Sequence, residues 1–222
     1  MDYEQARKLM VQDQILGRGI RNRRVLEAMK KIPREEFVPL EFRRMAYRDR
    51  ALPIGEGQTI SQPYVVGLMT DALEVKRGAK ILDVGTGSGY QAAIFAELGA
   101  KVISIERQDF LARSAMERLR RLGYGDVEVI FGDGSCGWPS EAPFDGIVVA
   151  ASGPTIPTPL LEQLKEGGHL VMPVARGAVE QELVRITSLG KGRYERRELG
   201  AVVFVPLIGK EGWDSDRHQR WW

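Results

Sequence analysis

From residue 80 onward the apolar positions fall into short unbroken runs separated by amphipathic stretches. The runs at 80–84, 102–106, 127–131, 147–150 and 168–174 read as strands, and 90–98, 110–122 and 158–164 as the helices between them. A strand that is apolar throughout leaves no face for water, so these strands imply a parallel sheet covered by helices on both sides. The pattern changes near the end. Segments 183–188 and 194–207, joined through Gly190-Lys191-Gly192, read as an antiparallel hairpin added to the sheet.

The first third reads mainly helical. Val25, Met29 and Ile32 share one helix face, and Pro33 stops that helix because it lacks an amide proton. The stretch from Gly55 to Pro63 reads as a loop leading into another helix. There Ser61 is placed to cap, Pro63 sits near the first turn, and Tyr64, Val65, Leu68 and Met69 supply apolar surface. The expected fold is α/β: a doubly wound, mostly parallel Rossmann-like sheet with a C-terminal antiparallel hairpin and an N-terminal helical extension. We read residues 1–222 as a single domain, with the extension and its loop at 1–79, the α/β core at 80–174, and the hairpin and tail at 175–222.

Composition narrows the class without naming a function. A chain of 222 residues suits one well-buried domain, and 43% hydrophobic with 28% charged residues is the balance of a soluble globular protein. The formal charge of +2 leaves no general affinity for nucleic acid, and the arginines at 18, 21, 23 and 24 read as a solvated helix end rather than a binding patch. No apolar stretch approaches a membrane span, and the start resembles no signal peptide. The single cysteine, Cys136, forms no internal disulfide and suits a reducing cytoplasm. Asn22 is the only asparagine and arginine is plentiful, a bias of thermophilic proteins.

The chemistry begins at Asp83-Val84-Gly85-Thr86-Gly87-Ser88-Gly89-Tyr90. An apolar run ends in an acid, and three glycines alternate with small residues before a helix starts. Glycine permits the sharp turn and lets a ligand lie against bare backbone, while the helix start offers free amides. Tyr90 stands where a dinucleotide fingerprint wants its last glycine. Taken alone, the motif fits a tight strand–helix turn or another nucleotide. Two further acids, Glu106 and Asp133, follow the second and third strands, at the carboxyl ends where a nucleoside ligand lies in such sheets.

That order resembles the class I S-adenosylmethionine-dependent methyltransferases. The resemblance implies that Asp83 orients the methionine amino group, Glu106 binds the ribose and Asp133 contacts adenine. Several acceptor types lack their usual residues here: no Pro-Cys context for a cytosine-directed thiolate, no polar-Pro-Pro-aromatic segment after the fourth strand, and no acid/histidine cluster with metal-ligand spacing. His169 and His218 read as structural or solvated. A carboxylate acceptor fits, because with a pKa near ~4 it needs no general base.

The acceptor is narrowed by Ile60-Ser61-Gln62-Pro63, Gln163-Leu164-Lys165-Glu166-Gly167-Gly168, Phe204-Val205-Pro206-Leu207, and Arg34 with Phe37-Val38-Pro39. With the glycine motif, these make the chain similar over nearly its whole length to the protein-L-isoaspartate (D-aspartate) O-methyltransferases. The resemblance implies methyl transfer from S-adenosyl-L-methionine to isoaspartyl or D-aspartyl carboxylates in damaged proteins, leaving S-adenosyl-L-homocysteine. It implies cofactor contacts at Gln58, Thr59, Ile60, Asp83, Gly85, Thr86, Gly87, Ser88, Glu106, Arg107, Gly132, Asp133 and Gly134. Ser61 is implied as the active-site serine, with acceptor contacts at Ser61, Ala150, Ala151, Val203 and Val205. No metal, nucleic acid or membrane partner is expected, and the protein is expected to act as a monomer. Val203 replaces a residue that is often basic in the family, so flanking preferences are open. Backbone groups of Ala150–Ser152 and 203–206 are candidates for holding an extended acceptor, against the plainer reading of ordinary sheet core. The rivals are a methyltransferase with an RNA or small-acid acceptor, a non-catalytic binding module and a nicotinamide-dependent oxidoreductase. The tail tryptophans are expected to pack on the body.

Overall fold

The computed structural model describes residues 2–177 and 180–214. The chain begins with α1 (Tyr3–Leu9), which runs on as a π-helical turn through Met10–Leu16, and then forms α2 (Arg23–Lys31). The Asn22 side chain accepts from the Arg24 amide and starts α2, while Val25, Met29 and Ile32 are all buried just ahead of Pro33. Two 3-10 turns, Arg34–Phe37 and Leu40–Met45, lead to a small antiparallel hairpin of β1 (Leu52–Gly55) and β2 (Gln58–Ile60). Periodicity does not reveal this hairpin, because arms of four and three residues are too short to show an alternation.

Helix α3 (Pro63–Ala72) follows with Pro63 in its first turn. The residue at its N-cap is Gln62, not Ser61, and neither side chain caps the helix. Asp49, remote in sequence, does that work: its Oδ1 accepts from the Tyr64 amide at 3.2 Å and its Oδ2 from Gln62 Nε2 at 2.8 Å.

The repeating region runs β3 (Lys80–Val84), α4 (Tyr90–Glu97), β4 (Lys101–Glu106), α5 (Asp109–Arg121), β5 (Glu128–Phe131), β6 (Phe144–Val149), α6 (Thr158–Glu162) and β7 (Leu164–Arg176). Strands β8 (Glu180–Ser188) and β9 (Tyr194–Val202) complete a seven-stranded sheet of order β5-β4-β3-β6-β7-β8-β9. The first five are parallel, and β8 and β9 add antiparallel at one edge. Strands β6, β7 and β8 begin at Phe144, Leu164 and Glu180, ahead of the expected 147, 168 and 183, and two element ends also differ from the sequence reading. The helix expected to reach 164 stops at Glu162 because Leu164 pairs with Phe144 of β6. The last strand, expected to reach 207, stops at Val202 because the Phe204 amide and carbonyl are held by the Gln181 side chain at 2.7 and 3.0 Å.

The pleat sorts alternate side chains into two cores, one on each side of the sheet. Ile81, Val148, Val171 and Leu183 join the core that includes α2, α3 and α4, while Leu82, Val84, Ile147, Val149, Leu170 and Met172 join the core beneath α6. The N-terminal helices share the first core with the sheet, so the extension is packed into the domain rather than appended to it.

Candidate active site

Strand β3 has β4 on one side and β6 on the other, so the chain winds away from it in both directions. In such sheets ligands bind outside the carboxyl ends of the strands at that point. A cleft lies there, enclosing about 1040 Å³ including its open mouth. Its walls are the β3–α4 turn, the end of β2, the end of β4 with Arg107, and Ala150, Ala151 and Val205–Ile208 from the C-terminal side.

The glycine turn is held by its neighbour strand. The Gly85 amide donates to the Ile105 carbonyl at 2.8 Å, and the Gly87 amide to Glu106 Oε2 at 2.8 Å. Gly85 and Gly87 have φ of 92° and 53°, left-handed values that favour glycine, so the turn depends on that residue type. Glu106 also accepts from the Gln108 amide through Oε1 at 2.9 Å. One carboxylate therefore ties the two turns that face the cleft, and each of its oxygens keeps further acceptor capacity for a hydroxyl pair.

Asp83 lies deeper. It is completely buried and is not on the cleft wall. Its Oδ2 accepts from Ser104 Oγ at 2.8 Å, Ser104 meets Thr86 Oγ1 at 2.6 Å, and Thr86 reaches the cleft. Asp83 Oδ1 has no hydrogen-bond partner among the described residues. Burial raises this carboxyl to about 7, opposed by the Ser104 hydrogen bond and reinforced by nearby Glu106. A buried acid with an open oxygen behind the glycine turn suits a cationic group in the cleft.

Asp133 takes a different position from the one expected of an adenine reader. It and Gly132 are not on the cleft wall; Oδ1 accepts from the Ser135 amide at 2.9 Å and Oδ2 from the Lys210 amide at 2.7 Å. Burial pushes its carboxyl up, but these hydrogen bonds outweigh burial and hold it below its ordinary value. The short turn after β5 needs a cap and the 207–213 segment needs an anchor, and Asp133 supplies both. Gly134 alone of the three residues from 132 to 134 lines the cleft.

Ser61 stands where the cleft meets a second groove. That groove encloses about 1530 Å³ with its mouth and shares Thr59, Ser61, Ala150 and Val205 with the cleft. Its other walls include Arg18, Tyr64 and Leu68 on one side and Leu199–Phe204 on the other, with Val203 90% exposed at the rim. The Ser61 hydroxyl has no hydrogen-bond partner among the described residues, while its carbonyl accepts from the buried Arg34 Nη2 at 2.6 Å.

Of the residues implied for the cofactor, Gln58, Thr59, Ile60, Gly85, Thr86, Gly87, Ser88, Glu106, Arg107 and Gly134 come together on the cleft wall; Asp83, Gly132 and Asp133 do not. Of those implied for the acceptor, Ala150 and Val205 line both cavities, Ala151 the cleft and Val203 the groove. The expected backbone recognition by Ala150–Ser152 and 203–206 is largely spent within the protein. The Ser152 amide donates to the Val205 carbonyl, and the Ser152 carbonyl accepts from the Leu207 amide, both at 2.8 Å. Trp213 packs on the body as expected, its indole donating to the Ser152 carbonyl at 2.9 Å. Trp221, Trp222 and His218 lie outside the described residues. His169 sits away from both cavities, beside Arg185 and Glu74.

Sequence reasoning missed Tyr90 and Gln91 as cleft residues, and Arg18, Asp49, Tyr64 and Leu68 as groove residues. Tyr90 follows the glycine motif directly, so its place in the cleft was within reach of the motif. Nothing local marks the others.

The doubly wound sheet, with a cleft at its switch point walled by the glycine turn and Glu106, is the arrangement of an α/β methyltransferase fold. Comparison with known proteins carries the assignment further. A profile of the Protein-L-isoaspartate(D-aspartate) O-methyltransferase family matches residues 4–212, and the chain belongs to that family. It is 54% identical to a protein-L-isoaspartate O-methyltransferase of Methanoculleus marisnigri, covering 95% of this chain and 94% of that one. It is 50% identical to protein-L-isoaspartate O-methyltransferase 2 of Pelobacter propionicus over 96% of this chain and 94% of that one. Among solved structures, a protein-L-isoaspartate O-methyltransferase superposes with a TM-score of 0.83 at 26% identity, over 93% of this chain and 67% of that one. A Plasmodium falciparum protein described as a beta-aspartate methyltransferase, solved with S-adenosyl-L-homocysteine, gives 0.79 at 27% identity over 91% and 98%.

Proposed function

We propose that this chain methylates the free carboxylate of L-isoaspartyl, and D-aspartyl, residues in damaged proteins, with Ser61 holding the acceptor. The observation that carries the assignment of residues is the position of Ser61: an unpartnered hydroxyl at the junction of a nucleoside cleft and a peptide-sized groove. S-adenosyl-L-methionine, when bound in the cleft, supplies a methyl group made electrophilic by its sulfonium sulfur.

The chain's own residues then have three tasks. Glu106 and the 85–88 turn receive the ribose and the amino-acid end, with Asp83 as the buried counter-charge. The Ser61 hydroxyl donates to one oxygen of the acceptor carboxylate, orienting the other toward the methyl carbon. Ala150 and Val205 at the junction, with Ile60 and Val66 on the cleft wall, supply apolar surface that strips water from the nucleophile. No base is needed, because the acceptor is already ionised at neutral pH. This fits the wall chemistry: among the described residues no histidine lines either cavity, and Asp49 is engaged by Arg18, Gln62 and the Tyr64 amide.

The acceptor oxygen forms the new bond to carbon as the carbon–sulfur bond breaks. In the released ester, the next backbone nitrogen attacks the ester carbonyl and methanol leaves. Water opens the resulting succinimide at either carbonyl, returning part of the chain to normal aspartate. One chain supplies both cavities and carries a single cysteine, so we place the protein in the cytoplasm, acting as a monomer.

The test is methyl transfer from labelled S-adenosylmethionine to two synthetic peptides that differ only in an isoaspartyl or a normal aspartyl residue. Label on the isoaspartyl peptide alone is expected. Equal label on both, or label on bulk RNA instead, would overturn the reading.

A further inference from the structure

Arg34 is completely buried, yet it forms no ion pair with a described carboxylate. Its Nε donates to the Ala46 carbonyl at 2.7 Å and its Nη2 to the Ser61 carbonyl at 2.6 Å, while Nη1 has no hydrogen-bond acceptor among the described residues. The guanidinium carbon lies 4.8 Å from the centre of the Tyr90 ring, and Tyr90 lines the cleft. Burial lowers the affinity of this group for its proton, but an arginine stays charged through the physiological range. A buried charge with no carboxylate in direct contact is a costly way to bind two carbonyls, since a neutral donor would serve them with far less desolvation.

The same residue answers a local problem at Ser61. The peptide between β2 and α3 has no cap of its own, because neither Ser61 nor Gln62 turns its side chain to the helix start. Downstream, Asp49 grips Gln62 and Tyr64; upstream, Ile60 is the last residue paired in the hairpin. Ser61 lies between these two anchors, and its carbonyl is held by the hydrogen bond from Arg34. With that bond in place, the backbone orientation that presents the hydroxyl to the junction is set from behind.

We infer that Arg34 is a positioning residue for methyl transfer: it fixes the Ser61 backbone so that the hydroxyl meets the acceptor carboxylate, and its charge, with no described carboxylate in direct contact, favours an anion at that junction. This rests on the role given to Ser61 above. Arg34 itself does not touch the acceptor, since it is on the wall of neither cavity.

The experiment is a double-mutant cycle of Arg34→Met and Ser61→Ala, with Arg34→Lys as the conservative variant. It reads kcat and KM for an isoaspartyl peptide, S-adenosylhomocysteine affinity by calorimetry, and Tm. Losing a hydrogen bond to a charged group predicts that each single change lowers kcat/KM by about 10- to 100-fold. For groups acting through one another, Arg34→Met in the Ser61→Ala background is expected to cost less than about threefold. Arg34→Lys keeps the charge and one donor, so it should recover part of the loss in KM. S-adenosylhomocysteine affinity should stay within about threefold in every folded variant, since Ser61 meets the cleft only where it joins the groove and Arg34 reaches the wall only through Tyr90. Equal losses in both backgrounds would overturn the inference, as would cofactor affinity falling in step with activity. Full activity in Ser61→Ala alone would instead remove the parent reading. If Arg34→Met does not fold, Arg34→Lys carries the cycle, and wild-type activity in that variant at lowered Tm would make Arg34 merely structural.

Discussion

Asp83 illustrates how much one residue's surroundings decide. Its place at the end of an apolar run, before the first glycine, is plain in the sequence. Its full burial and its single hydroxyl partner are not, and they set its titration. The folded carboxyl is raised to about 7, whereas an unfolded aspartate titrates near ~3.9. Between these values the native state holds a proton that the unfolded chain has released, so stability falls as pH rises through that window. Asp83→Asn removes the term. The Tm of the variant relative to the parent is therefore expected to climb from pH 5 to pH 8 in scanning fluorimetry, and a flat difference would show that native Asp83 is already ionised. Asp133 teaches the converse. A carboxylate at a strand end is easy to nominate for a ligand, but here two backbone amides claim it, one of them from Lys210, 77 positions away.

At the scale of elements, the strands and helices from 80 to 176 were legible because each buried strand is long enough to show an unbroken apolar run. The β1–β2 hairpin and the end of β9 were not. The first is too short for a period, and the second ends on a side-chain clamp from the neighbouring strand. The element most open to test is the pair of turns joined by Glu106. A glutamine there has one acceptor oxygen for two amides, so either Gly87 or Gln108 is left facing a donor. Glu106→Gln is expected to destabilise the fold by about 1–3 kcal/mol and to weaken S-adenosylhomocysteine at least about 10-fold. Urea unfolding and calorimetry measure both, and unchanged cofactor affinity would remove Glu106 from the ribose site.

At the scale of the whole molecule, the N-terminal helices and the sheet share one core and are bonded across it. Arg24, read from the sequence as part of a solvated cluster, donates to the Val75 and Leu98 carbonyls at 2.9 and 2.5 Å, and Lys31 pairs with Glu97 at 2.8 Å. A shared core predicts one cooperative transition. Thermal curves followed by near- and far-ultraviolet circular dichroism are expected to coincide. Arg24→Ala should lower stability by about 1–2 kcal/mol without separating them. Two resolved transitions would mean that the extension folds on its own.

The sequence by itself determined the α/β class, the succession of the core strands along the chain, the glycine turn, and Glu106 and Ser61 as residues that line the cleft. These depend on local period, on turn chemistry, and on motifs confined to a few consecutive residues. Tertiary structure decided what stands behind them: Arg34 on the Ser61 carbonyl, Asp49 at the start of α3, Gln181 on Phe204, Asp133 on Lys210. Each joins a side chain to backbone at least a dozen positions away. A backbone amide or carbonyl looks the same at every residue, so the pattern of side chains alone holds no trace of which one a distant arginine or aspartate will find.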